Sequence, residues 1–387
     1  MRILPAFFIL SFSFPARAQD PGSLHFLTES EIPSVCTAVS MTMLHDRQDM
    51  PFLYVANKEA GLKIYDITAP KVPQLRATVP TTKLDSLDVM SLSQQGNFLF
   101  LALGNHFNNK QHSGMAIVDV SDPEKPVLMS KWYLPGSHGG SGIIETEGNY
   151  AYLGAMGNGL VILDISDKKN VKMISRFMPD IKFPDCINDP SPKPQASKYN
   201  ARSMAVKNDL VYLCFDAGGF RIINVKDKMH PRETGRFSNP SLSGRPRAYN
   251  NLVLDDSLVY VAVDYCGMEI LNVSDTAHIK LRGWWNPCGC PNNNWFKSPV
   301  HANEIRFQKN CNRIFLSTGK SDMHVLDVSD HAHPNSIAVY GGENNKMGTW
   351  GIDVWKNRIF LSYVCAFIPY SSDWTGVKII TVEEKCE

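Results

Sequence analysis

The sequence predicts an all-β protein, a seven-bladed β-propeller, and three observations carry that prediction. One strand is written seven times, as GLKIYDI from Gly61, GMAIVDV from Gly114, GLVILDI from Gly159, GFRIINV from Gly219, GMEILNV from Gly267, DMHVLDV from Asp322 and GVKIITV from Gly376. Asp or Asn holds the penultimate place in six copies and Thr381 in the seventh. Each copy follows a second apolar strand with an aromatic in register, at Tyr54, Phe100, Tyr152, Tyr212, Tyr260, Phe315 and Phe360. The repeat recurs at roughly 45 to 60 residues with strand periodicity and no helical pattern, which is the signature of propeller blades.

Residues 1–18 read as a signal peptide. Arg2 is followed by an apolar run from Ile3 to Phe14 and by Ala16-Arg17-Ala18, a small-x-small cleavage pattern. Residues 19–387 then form a single domain, because blades cannot bury their faces singly and must stack into one ring. The next element, His25 to Ser30, precedes the first inner strand and has no partner nearby in sequence. The last copy of the repeat lacks an outer strand, since the chain stops at Glu387. The N-terminal strand is therefore expected to complete the last blade and close the ring.

The fourth repeat serves as the reference blade. Arg202–Lys207 is its inner strand a, Leu210–Phe215 strand b, Phe220–Val225 strand c and Glu233–Phe237 the outer strand d. Further outer strands are QLRATV from Gln74, VLMSKW from Val127, KMISRF from Lys172, LRGWW from Leu281 and IAVYG from Ile337. Alternating strand direction puts the short a–b and c–d turns on one face of the disc. Every insertion falls on the other: residues 104–113, 178–200, 286–299 and 364–375. Insertions on one face of a repeat array mark a binding face.

Charge excludes some partners. Lys and Arg number 39 against 38 Asp and Glu, and loss of Arg2 and Arg17 with the leader takes the formal charge from +1 to −1. Nothing in that balance calls for nucleic acid. No later stretch approaches eighteen apolar residues, so no membrane insertion is expected. A secreted or periplasmic protein follows.

The residues entering the inner strands are polar and aromatic. They include Asp85, Asp88, His138, Tyr199, Arg202, Arg245, Arg247, Tyr249, Asn250, His301, Asn303, Glu304, Trp350 and Asp353, and the 104–113 loop adds His106 and His112. Guanidinium groups grip carboxylate or sulfate, aromatics stack on sugar rings, and His with Tyr moves protons near neutral pH. An anionic polysaccharide or oligosaccharide is the partner this set suits. Tyr199, Arg202, Arg245, Arg247, Asn250 and Trp350 are candidate substrate contacts.

All nine cysteines lie beyond the leader. Cys288-Gly289-Cys290 sits in one insertion, with His301 after it and Cys266 in the neighbouring b–c loop. Three thiolates and an imidazole would make a closed, structural zinc site. A disulfide from Cys266 to Cys288 or Cys290 is the alternative in an oxidising compartment. Topology also brings Cys311 towards Cys386 and Cys36 towards Cys365, at the ring closure.

The pattern G-x-x-I-x-D-[VI]-[ST]-D-x-x-x-P, as in Gly114 to Pro126, resembles the LVIVD repeat of exported bacterial propellers. Together with the channel-mouth His, Tyr and Arg and the Cys/His loop, the chain resembles the ulvan lyases of polysaccharide lyase families 24 and 25 and the related oligosaccharide dehydratase. That resemblance implies β-elimination at a uronic acid of a sulfated polysaccharide. It implies His112 (or His106 in its place), His138 and Tyr249 as proton-transfer groups, Arg202 and Arg247 as carboxylate clamps, and Tyr199 as a second candidate phenol. The alternatives are a dehydratase acting on a terminal uronate and a noncatalytic LVIVD-type propeller that binds a cell-surface partner.

Overall fold

The computed structural model describes residues 24–35, 41–106, 111–185, 199–264, 266–290, 298–342, 345–364, 366–367 and 370–383. Residues 1–18, read from the sequence as a leader, and Cys36, Cys365 and Cys386 lie outside the described residues. Seven four-stranded antiparallel sheets are present, six of them built from consecutive strands. In the reference blade the strands are Ser203–Lys207, Leu210–Cys214, Phe220–Asn224 and Arg232–Phe237, within one residue of the sequence reading. Among the described residues no helix is long and apolar enough to cross a membrane.

The seventh sheet joins the two ends of the chain. Strand Phe26–Pro33 pairs antiparallel with Gly376–Val382, from Phe26 opposite Val382 to Pro33 opposite Gly376, with a register shift between Thr28 and Ser30. Arg358 reaches Glu29 at 3.2 Å and Lys378 reaches Glu31 at 3.1 Å. The strand also ties the flanking blades, through Thr28 Oγ1 with the Tyr340 hydroxyl at 2.7 Å and Ser30 Oγ donating to the Pro70 carbonyl at 2.7 Å. The edge that the last blade would otherwise expose is paired along its length.

The repeated residues have structural work in each blade. Tyr54, Phe100, Tyr152, Tyr260 and Phe360 are fully buried, and Phe315 nearly so, filling the wedges between adjacent sheets. The penultimate Asx residue accepts a backbone bond that sets the c–d turn. Asp66 Oδ1 takes Thr68 N at 2.8 Å, and the same bond recurs at Asp119, Asp164, Asn224, Asn272 and Asp327. The leading glycine is a steric requirement. Gly61 has φ 84°, and a Cβ there would lie 2.1 Å from the Val79 carbonyl oxygen of the outer strand.

Ring closure makes a direct prediction. Deleting residues 24–33 should lower Tm by about 10 °C or more, because an entire edge strand and its packing are lost. Hydrogen exchange should show protection of amides 376–382 collapsing first; unchanged protection there would mean the closing strand contributes nothing.

Candidate functional site at the channel mouth

The mouth of the central channel is formed where the inner strands begin. Arg202, His106, Asn250, Asn303, Glu304 and Trp350 lie around a throat of about 40 Å³. That is room for water and too little for a sugar ring, so a saccharide would lie across the face above the throat.

Local chain geometry explains how these side chains arrive. At the b–c turns of blades 1, 3, 4 and 5 one residue bridges to the start of the next blade's inner strand: Lys58 to Val89, Met156 to Ala201, Asp216 to Tyr249 and Asp264 to Ala302. The side chains at these turns reach the strand entries. Asp216 Oδ2 accepts from Asn200 Nδ2 at 2.8 Å and from Arg202 Nε at 3.1 Å, holding the Arg202 guanidinium at the throat with 22% of its side chain exposed. Asp264 Oδ1 engages His301 Nδ1 at 2.8 Å in the equivalent place. Neither aspartate was singled out in the sequence reading, although both occupy corresponding places in FDAGG and VDYCG.

The two predicted histidines meet. The rings of His112 and His138 stack with centroids 5.6 Å apart and planes 28° from parallel, both exposed on the insertion face. His112 Nδ1 lies 2.6 Å from the Ser137 carbonyl. A carbonyl can only accept, so Nδ1 carries the proton and the neutral ring presents Nε2 as a base. Two loops must approach closely for this. A Cβ on Gly140, at φ 65°, would lie 2.0 Å from the Gly104 carbonyl oxygen, and Ser113 Oγ donates to the Gly140 carbonyl at 2.5 Å. His106, on the same loop, lines the throat together with Arg202. Burial, with the Arg202 charge adding to it, lowers its pKa to about 3, which keeps it neutral.

Three residues expected on the rim are built into the frame instead. Tyr249 is fully buried in the wedge between blades 4 and 5; its hydroxyl donates to Glu269 Oε2 at 2.9 Å and accepts from Asn239 N at 3.0 Å. Burial, then the Glu269 charge, push this phenol well above the usual range. The physical reason is a register shift between Tyr249 and Asn251, which turns Asn250 to the channel and Tyr249 away from it. Arg247 is spent on loop anchorage, with Nη2 on Asp185 at 2.6 Å, Nε on the Ala217 carbonyl at 3.0 Å and Nη1 on the Leu242 carbonyl at 3.2 Å. Tyr199 is 5% exposed and packs against Phe215. Arg245 is exposed on the face, Asn250 donates to the Ala302 carbonyl at 2.9 Å, and Trp350 lines the throat.

Of the two chemistries open to the cysteine loop, the structure contains the disulfide. Cys266 and Cys290 are bonded, with Cα atoms 4.8 Å apart. Cys288 packs against the apolar cluster between blades 5 and 6, and His301 is engaged by Asp264. Among the described residues no group of three or more His, Cys, Asp or Glu is disposed to hold a metal. Cys311 is disulfide-bonded as well.

The sheets and the channel define the class as a seven-bladed β-propeller. The family model described as the LVIVD repeat matches residues 51–81, 88–133 and 139–178, so the chain is a propeller that carries LVIVD repeats. No curated protein matches it. Among solved structures, the β-propeller domain of Cps50 (Swd1) from Myceliophteria thermophila is similar at 12% identity and a TM-score of 0.62, over 94% of this chain and 100% of that one. A chain of the mitotic checkpoint complex is similar at 11% identity and a TM-score of 0.60, over 97% and 100%. The computationally designed Ika8 protein follows at 9% and 0.55, over 92% and 99%. Identities this low carry the fold alone.

Two predictions follow from these bonds. Closing 24 residues of sequence, the Cys266–Cys290 bridge should be worth about 3 kcal/mol. Cys290→Ser or reduction should therefore lower Tm, while chelation leaves it unchanged; a Tm loss on chelation would assign the cysteines to zinc. Burial also pushes the Glu269 carboxyl from its ordinary 4.5 up to about 7. The native state thus holds this proton more tightly than the unfolded chain does. The stability it contributes is complete below pH 4.5 and is lost as pH rises through 7. From about pH 5 to 8, wild-type Tm should fall more steeply than that of Glu269→Gln; parallel curves would refute this.

Proposed function

We propose that the chain is a secreted uronate-directed lyase that works at the upper mouth of the propeller on an anionic, ulvan-like polysaccharide. The observation that supports this reading best is the stacked His112–His138 pair on the insertion face, on loops that also bring His106 to the throat that Arg202 lines. Elimination needs the uronate carboxylate neutralised, a base at C5 and an acid at the C4 oxygen. Arg202, held by Asp216, takes the carboxylate, and exposed Arg245 is a second cation for carboxylate or sulfate. His112 Nε2 removes the C5 proton; the released electron pair forms the C4–C5 double bond, the C4–O bond breaks, and protonated His138 gives its proton to the leaving oxygen. With water as leaving group the same steps describe a dehydratase on a terminal uronate.

A noncatalytic saccharide-binding propeller is the second reading. It is favoured by the commitment of Tyr249, Tyr199 and Arg247 to the frame, away from the mouth.

Incubation with ulvan and other uronate polymers and oligomers, followed by the ultraviolet absorbance of unsaturated uronate, separates the two. A lyase gives a rise that falls by about two orders of magnitude or more in His138→Ala and in Arg202→Ala. Tyr249→Phe should retain turnover and lose stability. No rise on any uronate from folded protein would leave saccharide binding as the function.

A further inference from the structure

Below the throat the channel widens into a chamber of about 450 Å³, within the range of small-molecule sites. Its middle is one level of the repeat, where the inner strands pair with the recurring aromatic of strand b. At that level blades 2, 4 and 5 contribute Ser93, Ala205 and Val253, which are short and leave the space open. Blade 3 contributes Glu145, and blades 6 and 7 contribute Arg306 and Asp353.

Charge is divided between opposite walls. On one side Asp353, fully buried, accepts from Arg47 Nη2 at 2.7 Å and Arg306 Nε at 3.2 Å. One carboxylate thus serves two guanidinium groups, which line the chamber with 33% and 29% of their side chains exposed. Glu304 lies 3.9 Å from Arg306 and is shared with the throat above; Lys207, at the wall near the end of the blade 4 inner strand, pairs loosely with Asp256 at 3.6 Å. On the other side Glu145 stands three blades away in the ring. Arg306 and Arg47 act on it through space, yet among the described residues it makes no hydrogen bond or ion pair. Glu145 is half-buried in the chamber wall, where a carboxylate gains less from water than in bulk, and a cation between the walls would compensate it. A lone cation, however, would meet two guanidinium groups opposite, which Asp353 offsets by one charge and Glu304, its carboxyl raised to about 7 by burial, offsets only in part. A ligand with one charge of each sign satisfies both walls.

We propose that the lower chamber binds a small zwitterion of the amino-acid type, its ammonium on Glu145 and its carboxylate on Arg47 beside Arg306. Leu44, Leu92, Leu252 and Leu254 furnish apolar wall for its side chain. This site is separate from the upper mouth and does not rest on the lyase reading.

Calorimetry and thermal shift with alanine, leucine, methionine and phenylalanine, each beside its N-acetyl acid and its amide, test the proposal on the intact chain. At least one free amino acid should bind saturably at one per chain and raise Tm, with both single-charge analogues at least tenfold weaker. Glu145→Gln should weaken the amino acid at least tenfold and leave the N-acetyl acid unchanged. Ala205→Leu, which fills the chamber, should abolish binding, and His138→Ala should not alter it. No saturable binding by any amino acid would overturn the proposal, as would an N-acetyl acid or an amide that binds as tightly as the parent. Should a variant fail to fold, the analogue series on the wild-type chain still decides.

Discussion

Closure between blades 7 and 1 is the constraint on which the remaining structure depends. A stack of blades is one-dimensional, and each sheet contacts only its neighbours, so the array has two ends until the chain makes them meet. The strand from Phe26 to Pro33 does this through its ladder with Gly376–Val382. Side chains reinforce the same seam. His45 of blade 1 stacks on Trp355 of blade 7 at 4.7 Å, Trp355 Nε1 donates to Asp49 at 2.9 Å, and Arg47 crosses to Asp353. The seam is therefore at once a sheet, an aromatic contact and an ion pair inside the channel. Without it the channel has no continuous wall.

The same economy governs the mouth. A b–c turn hands one residue to the next blade, and whatever stands there decides what the entry of that blade can hold. Aspartate at that place in blades 4 and 5 orients an arginine in one case and a histidine in the other. Fixing a cation through a buried or half-buried carboxylate preorganises it and lowers the cost of ordering it when a ligand arrives. The start of the 178–200 insertion is pinned by Arg247 to Asp185 and by Arg221, whose guanidinium sits over the Phe183 ring at 4.8 Å and bonds the carbonyls of Asp180 and Phe183.

Fold and topology were legible because they are written redundantly. Seven copies of one strand, a paired aromatic in each and an unpartnered strand at the N-terminus lead to the same ring, and the strands fall within a few residues of their places. The site was legible only in part. His112 and His138 stand on loops of the insertion face, and their rings do meet. Tyr249 was misplaced because strand alternation assigns each residue a face, and a single register shift in blade 5 exchanges the faces of Tyr249 and Asn250. Arg247 was misjudged because a guanidinium that binds carbonyls and one that binds substrate look alike in sequence.

By itself the sequence determined the number of blades, their strand order, the face that carries insertions and the strand that closes the ring. These follow from local periodicity and from the need to pair every edge, which are properties of short segments and of counting. Only the tertiary structure decided which polar side chains face the channel and which face a neighbouring blade. It also set the charges of Arg306 and Asp353 across the channel from Glu145, and joined Cys266 to Cys290. Those outcomes depend on register shifts and on distances between blades far apart in sequence, where a displacement of one residue reverses the direction of a side chain.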